Sequence, residues 1–220
     1  MMIKGDIFIT GTGTDVGKTF VAALMVKNLI SSGVKVAYFK AAMSGNLRDE
    51  NNNLIPGDAL YVKKISGTPQ SLESMCPYVY EMAYSPHLAA RLEGNPVDLD
   101  SVIKKFHELK RNYDCVIVEG SGGILCPLRF DDAKQIWLED VINALNLPCI
   151  IVADAGLGTI NAVGLTAEYM KAKNISVEGI ILNRFEHGNI LHEDNLKMCE
   201  ILTGIKVMAY VGKNSEEIKL

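Results

Sequence analysis

The nine residues GTGTDVGKT, Gly11 to Thr19, have the composition of a phosphate grip. Glycines let backbone N–H groups turn toward an anion, a lysine adds positive charge, and the helix that follows aims the positive end of its dipole at the same point. The usual spacing, G-x-x-x-x-G-K-[ST], asks for glycine at position 12, where this chain has Thr12; Gly11 stands one residue too early. The loop is therefore one residue longer than the common form. A tight strand-to-helix turn with a solvated lysine would also use these glycines. However, strand-like IFIT precedes the loop, and KTFVAALMVKNLISSG follows as an amphipathic helix ending at Gly33. That context assigns the loop to a nucleotide, with Lys18 reaching the β and γ phosphates and Thr19 at a magnesium position.

Three further residues have types and places suited to the same chemistry. DCVIVEG ends its apolar run in Glu119, where a strand-terminal carboxylate holds magnesium directly or through water, and GSGG (Gly120 to Gly123) lets backbone approach a ligand closely. KVAYF ends in Lys40, with Ser44-Gly45 after it. At the carboxyl end of a parallel strand that lysine faces the ligand crevice, or else it is a solvated strand-end charge. Asp58, after LIPG, reads by itself as a helix N-cap.

These residues need a scaffold, and the chain alternates strands with helices. Asp6 to Thr10, Lys35 to Phe39, Asp114 to Val118, Pro148 to Ala153, Glu178 to Leu182 and Lys206 to Val211 are β-branched runs of buried-strand length. Helical patterns span Gly17 to Ser32, Asp100 to Arg111, Gln135 to Ala144, Thr159 to Lys173 and Leu191 to Leu202. Several of the strand runs lack polar alternation, so helices should cover both faces of a doubly wound, mainly parallel α/β sheet. Ser44 to Gly57, SGNLRDENNNLIPG, reads as a functional or mobile loop.

Composition excludes several classes. With 220 residues and 48% hydrophobic content the chain suffices for one domain, 1–220. A net charge of -4 with no Lys/Arg cluster argues against nucleic acid. No apolar run approaches the roughly 18 residues of a membrane span, and Gly5 and Asp6 interrupt any signal-peptide core, so the expectation is a cytoplasmic protein. The five cysteines form no C-x-x-C pair and read as reduced core thiols. His87, His107, His187 and His192 share no metal-ligand spacing.

Taken together, GTGTDVGKT, Lys40 with Ser44-Gly45, GDAL (Gly57 to Leu60), YSPHLAA (Tyr84 to Ala90), VEGSGG (Val118 to Gly123) and GLGTINAVGLT (Gly156 to Thr166) resemble the dethiobiotin synthetase family. The resemblance runs in order from about residue 6 to about residue 183, and far more specifically than any one motif. It implies a P-loop NTPase fold of the branch with five residues between the first glycine and G-K-T, so the long loop is the family's own.

The resemblance also implies roles. Gly13, Thr14, Asp15, Val16, Gly17, Lys18 and Thr19 would hold ATP, with Thr14 and Asp15 lining the catalytic site; Asp15 stands where a glutamate is expected, which implies a shorter reach. Thr19, Asp58 and Glu119 match magnesium positions, turning the capping reading of Asp58 into a metal one. Lys40 and Ser44 match residues on the carbamate and diamine side. Gly158, Thr159, Ile160 and Asn161 open a helix whose amides would take the substrate carboxylate, the tail coming from the other subunit of a homodimer. Asn183 matches an adenine contact.

The implied reaction, a step of biotin biosynthesis, joins 7,8-diaminopelargonate, carbon dioxide (or bicarbonate) and ATP into dethiobiotin, ADP and phosphate through a carbamate and a carbamic-phosphoric anhydride. Partition-type ATPases of the same branch carry a lysine where this chain has Gly13, and a cobalamin-type amidotransferase would need an added glutaminase domain. Family members have a proline-containing loop and longer tail after the last strand, whereas VMAYVGKNSEEIKL has no proline. The expectation is weaker ATP binding and relaxed base preference, with Asn183 as the main reader.

Overall fold

Six runs rich in valine and isoleucine pair in parallel, and the crossovers between them bring the phosphate loop to the middle of the sheet. The computed structural model describes residues 5–219. In chain order the elements are β1 (Ile7–Gly11), α1 (Lys18–Ser31), β2 (Val36–Lys40), β3 (Ala42–Met43), β4 (Leu47–Arg48), β5 (Leu54–Ile55), α2 (Gly57–Ser66), α3 (Leu72–Met75), β6 (Tyr78–Val79) and α4 (Pro86–Leu92). They continue as α5 (Leu99–Lys110), β7 (Cys115–Glu119), β8 (Pro127–Phe130), β9 (Gln135–Trp137), α6 (Leu138–Leu145), β10 (Cys149–Asp154), α7 (Thr159–Ala172), β11 (Val177–Asn183), α8 (Ile190–Thr203) and β12 (Val207–Val211).

The main sheet has the order β12-β11-β10-β1-β7-β2, with every neighbouring pair parallel. From β1 the chain crosses to the edge strand β2 and returns to β7 between the two, then builds outward on the other side through β10, β11 and β12. The carboxyl end of β1 is thus the switch point, where open α/β sheets form their ligand crevice. Gly11 to Gly17 leaves the sheet there.

Strand alternation divides the core into two layers. Ile7, Ile9, Ile117, Ile150, Val152 and Ile181 face α1 and α2, where they meet Val21, Leu24, Met25, Ala59 and Val62. Phe8, Phe39, Val116, Val118 and Ile151 face the opposite layer, with Phe106 of α5, Ile142 of α6, Met170 of α7 and Cys199 of α8. Burying each such side chain stabilises the fold by about 1.5–3 kcal/mol, so the two layers fix both the strand order and the positions of the strand ends. The doubly wound architecture expected from unbroken apolar strands is what the chain forms, and all five cysteines are buried and free.

Several local readings change. Gln135 to Trp137 is not helix but β9, paired antiparallel with β8; Ile136 is buried by that pairing, and α6 starts only at Leu138. Asp140 accepts the Trp137 N–H at 2.7 Å, which fixes the turn from strand to helix. Two helices beside the crevice, α2 and α4, begin at Gly57 and Pro86, where turn residues mask helical periodicity in sequence. After β12 the chain returns along α1: Asn28 Nδ2 donates to the Ile218 carbonyl at 2.8 Å, and the Ile218 side chain is buried in the α1 layer. No described helix is long and apolar enough to cross a membrane.

Candidate active site

The loop's conformation is set at two glycines. Gly17 has φ 92°, left-handed backbone that suits glycine, and a Cβ there would lie 1.9 Å from Asn183 Nδ2. Gly11 lies against the aliphatic stem of Lys18, whose Cδ would be 2.9 Å from an added Cβ. The early glycine of the long loop is therefore needed where it stands. Gly13, by contrast, has open space around it. Lys18 is buried and folds back on the loop, its Nζ donating to the Gly13 carbonyl at 2.8 Å. Burial, and then the neighbouring Lys40, lower its pKa from the ordinary lysine value.

The strand ends supply the charges. In the β2–β7 register Lys40 sits opposite Glu119, 79 residues on in sequence. Lys40 Nζ donates to Glu119 Oε1 at 2.7 Å and to Asp58 Oδ2, in the first turn of α2, at 2.6 Å. Thr19 Oγ1, at the start of α1, donates to Glu119 Oε1 at 2.8 Å, and the buried Tyr38 hydroxyl donates to Glu119 Oε2 at 2.8 Å. Burial opposes the Lys40 charge, but Glu119 and Asp58 outweigh it and raise its pKa, so the ammonium stays charged. Pro56, not Asp58, is the N-cap of α2. The capping reading of Asp58 fails because its carboxylate turns to Lys40.

These oxygens suit magnesium. Among the described residues no group of three or more His, Cys, Asp or Glu converges on one point. What does converge is a hydroxyl and two carboxylates: Thr19 donates to Glu119, and Glu119 and Asp58 share the Lys40 ammonium. Magnesium takes one or two carboxylates and fills its remaining positions with water and phosphate oxygen, so the donor set fits.

Two clefts meet at this cluster. One, of about 410 Å³, runs along the loop and is lined by Gly17, Lys18, Thr19, Glu119 and Arg184. The other, of about 480 Å³, lies between β2 and α4 and is lined by Ala42, Met43, Ser44, Tyr84, Pro86 and Cys126 among others. Thr14, Asp15, Lys40, Asp58 and Gly122 line both. The first sets Lys18, Lys40 and Arg184 beside Asp15, Asp58 and Glu119, while the second mixes polar ends with apolar walls. Ser44 Oγ, at the second, donates to the Tyr84 carbonyl at 2.6 Å.

Asn183, at the end of β11, is buried beside the loop. Its Nδ2 donates to the Val16 carbonyl at 3.0 Å, which fixes the orientation of the amide, and its Oδ1 has no partner. Gly158, Thr159, Ile160 and Asn161 open α7 and line neither cleft of their own chain; Gly158 and Asn161 are exposed and Thr159 is buried. Sequence reading missed Tyr38, Arg184 and Cys126, and it gave Tyr84 no role of its own within YSPHLAA. Tyr38 alone carried a signal, standing two residues before Lys40 and so on the same face of β2.

A phosphate loop at the switch point of a parallel sheet, with a lysine and a glutamate on adjacent strand ends, defines a P-loop NTPase. Solved structures share the fold, among them the MinC:MinD cell division protein complex of Aquifex aeolicus (TM-score 0.59, 14% identity, 96% of this chain and 83% of that one). A ParA family ATPase from Chlorobium tepidum matches with TM-score 0.55 and 16% identity, over 97% and 86% of the two chains. A family model described as an AAA domain matches residues 5–217. The ATP-dependent dethiobiotin synthetase BioD of Brachyspira hyodysenteriae is 49% identical over 205 residues, 93% of this chain and 90% of its own. That of Clostridium novyi is 42% identical, over 99% and 93%. The chain belongs to the dethiobiotin synthetase family.

Proposed function

We propose that the protein converts 7,8-diaminopelargonate, carbon dioxide and ATP to dethiobiotin, ADP and phosphate. The observation that carries this reading beyond family membership is the seam at which the two clefts share Thr14, Asp15, Lys40 and Asp58, because phosphoryl transfer between two small molecules needs them to meet end to end.

An amine of the substrate, in the cleft of Ser44 and Tyr84, adds to carbon dioxide and loses a proton to become a carbamate. A carbamate oxygen attacks the γ-phosphorus of ATP in the loop cleft; a P–O bond forms and the bond to ADP breaks. The second amine then attacks the carbonyl carbon, expels phosphate and loses a proton as the cyclic urea closes. The transfer step brings an anion, the carbamate, toward an anionic phosphate. Lys18, swinging from the Gly13 carbonyl to the phosphates, and Lys40, charged at the seam, offset that repulsion. Thr14 and Asp15 line the seam and orient the reacting ends. No side-chain nucleophile is required, and positioning with charge neutralisation carries the rate, as in phosphoryl transfer generally.

Thr19, Asp58 and Glu119 would hold magnesium, which when bound neutralises charge on the phosphate oxygens. The orphaned Oδ1 of Asn183 supports a base with an amino group to donate there. The first turn of α7 would receive the carboxylate of a substrate held by the other subunit of a homodimer, since free amides at a helix start suit an anion.

The test is phosphate release from ATP with each component omitted in turn, and mass measurement of the product. Release that depends on both the diamine and bicarbonate, with a cyclic urea formed, supports the reading; ATP hydrolysis indifferent to the diamine rejects it.

A further inference from the structure

Arg184, the residue after β11, has φ 57°, and Asp15 in the phosphate loop has φ 59°. Left-handed backbone is uncommon away from glycine and persists where its surroundings hold it. Here one guanidinium joins the two bends. Arg184 Nη2 donates to the Asp15 carbonyl at 2.7 Å, while Nη1 donates to the Asp154 carboxylate at the end of β10. The other oxygen of Asp154 accepts the Gly156 N–H at 2.8 Å. Burial opposes the Asp154 charge, but the hydrogen bonds from Arg184 and Gly156 prevail and lower its pKa, so the anchor stays ionised. The loops after β1, β10 and β11 are thereby tied at one point on the wall of the nucleotide cleft.

We propose that Arg184 is a positioning residue for the reaction: it holds the backbone bend at Asp15, and through that bend keeps Thr14 and Asp15 facing the seam between the two clefts. Its fixed fork suits the task, because two donors must reach a carbonyl and a carboxylate on different strand ends at once. The single ammonium of lysine lacks that geometry. Loss of Arg184 removes no hydrogen bond made by Lys18 or Thr19, whose partners are the Gly13 carbonyl and Glu119. The effect should fall on turnover more than on nucleotide binding. The inference rests on the synthetase reading for its kinetic consequence but not for its structural one.

The experiment compares the full chain with Arg184→Ala, Arg184→Lys and Asp154→Asn. Amide hydrogen exchange is followed across residues 12–19 and across α1, along with ATP affinity by calorimetry and kcat and KM with the diamine. For Arg184→Ala we expect exchange at Thr12, the loop amide that donates to the Val152 carbonyl at 3.0 Å, to rise about tenfold with α1 unchanged. ATP affinity should stay within about threefold while kcat falls about ten- to a hundredfold, the loss expected of a small misplacement at a reacting centre. Arg184→Lys and Asp154→Asn should lie between. Unchanged exchange in the loop overturns the proposal, and so does a rise spread through α1 with kcat and ATP affinity lost in proportion. If the unaltered protein shows no diamine-dependent turnover, the synthetase reading fails, while the exchange measurement still decides the role of Arg184.

Discussion

Lys40 and Glu119 are register partners on adjacent parallel strands, joined by a 2.7 Å hydrogen bond in which the Glu119 side chain is fully buried. A buried carboxylate that loses its cation is costly, by about 3 kcal/mol, whereas the half-exposed Asp58 leg of the same ammonium adds little. Lys40→Met should therefore lower the thermal midpoint by about 6–12 °C. Magnesium should restore part of the loss, since a second cation then meets the same oxygens. Thermal unfolding with and without magnesium checks this; a variant as stable as the parent would show that Glu119 does not depend on Lys40.

The two lysines should fail differently. Lys18 points into the loop cleft alone and Lys40 into both. Lys18→Ala should weaken ATP binding and turnover together, and Lys40→Met should leave ATP binding closer to normal while impairing turnover with the diamine. Calorimetry of ATP binding is the measurement, and equal loss of affinity in both rejects the division.

Gly17→Ala and Gly13→Ala form a matched pair. An added methyl at Gly17 enters the space of the Asn183 amide on left-handed backbone, whereas at Gly13 it meets nothing within 4 Å. The first should cost at least about 1–2 kcal/mol of stability and most of the nucleotide affinity, and the second little of either. Denaturant unfolding and ATP titration of both variants decide it.

Asn183→Leu keeps the branching at Cγ but leaves the Val16 carbonyl without its donor and removes the unpaired Oδ1. A lost net hydrogen bond or two, at about 0.5–1.5 kcal/mol each, should weaken ATP binding about tenfold and narrow the preference for ATP over GTP and CTP. The three nucleotides are compared as phosphoryl donors at one magnesium concentration. An unchanged preference would place base selection elsewhere.

If the start of α7 serves the neighbouring subunit, two inactive variants should complement. Lys18→Ala disables its own loop cleft, and Asn161→Glu puts a negative charge where a substrate carboxylate would arrive. Mixing and refolding the two should recover about a quarter of full activity, since half the dimers pair the variants and each of those holds one intact site. No recovery, or full activity in a monomer by sedimentation, argues against a shared site.

The sequence by itself determined what is local. Glycine spacing before Lys18-Thr19, apolar runs of strand length and carboxylate or lysine at their ends are all written within a few residues, so the loop, the six main strands and Lys40 and Glu119 were legible. So was the two-layer sheet, because strands without a polar face need cover on both sides. Tertiary structure alone decided what depends on register and on packing between distant segments. Only the β2–β7 pairing sets Lys40 against Glu119, turns Asp58 from a cap into a partner and brings the Tyr38 hydroxyl to the same carboxylate. Gln135 to Trp137 carries apolar spacing compatible with a helix, and pairing with β8 made it a strand. Arg184 gave no sign at all: its partners, Asp15 and Asp154, are 169 and 30 residues away, and a guanidinium finds such partners only when three strand ends have been brought side by side.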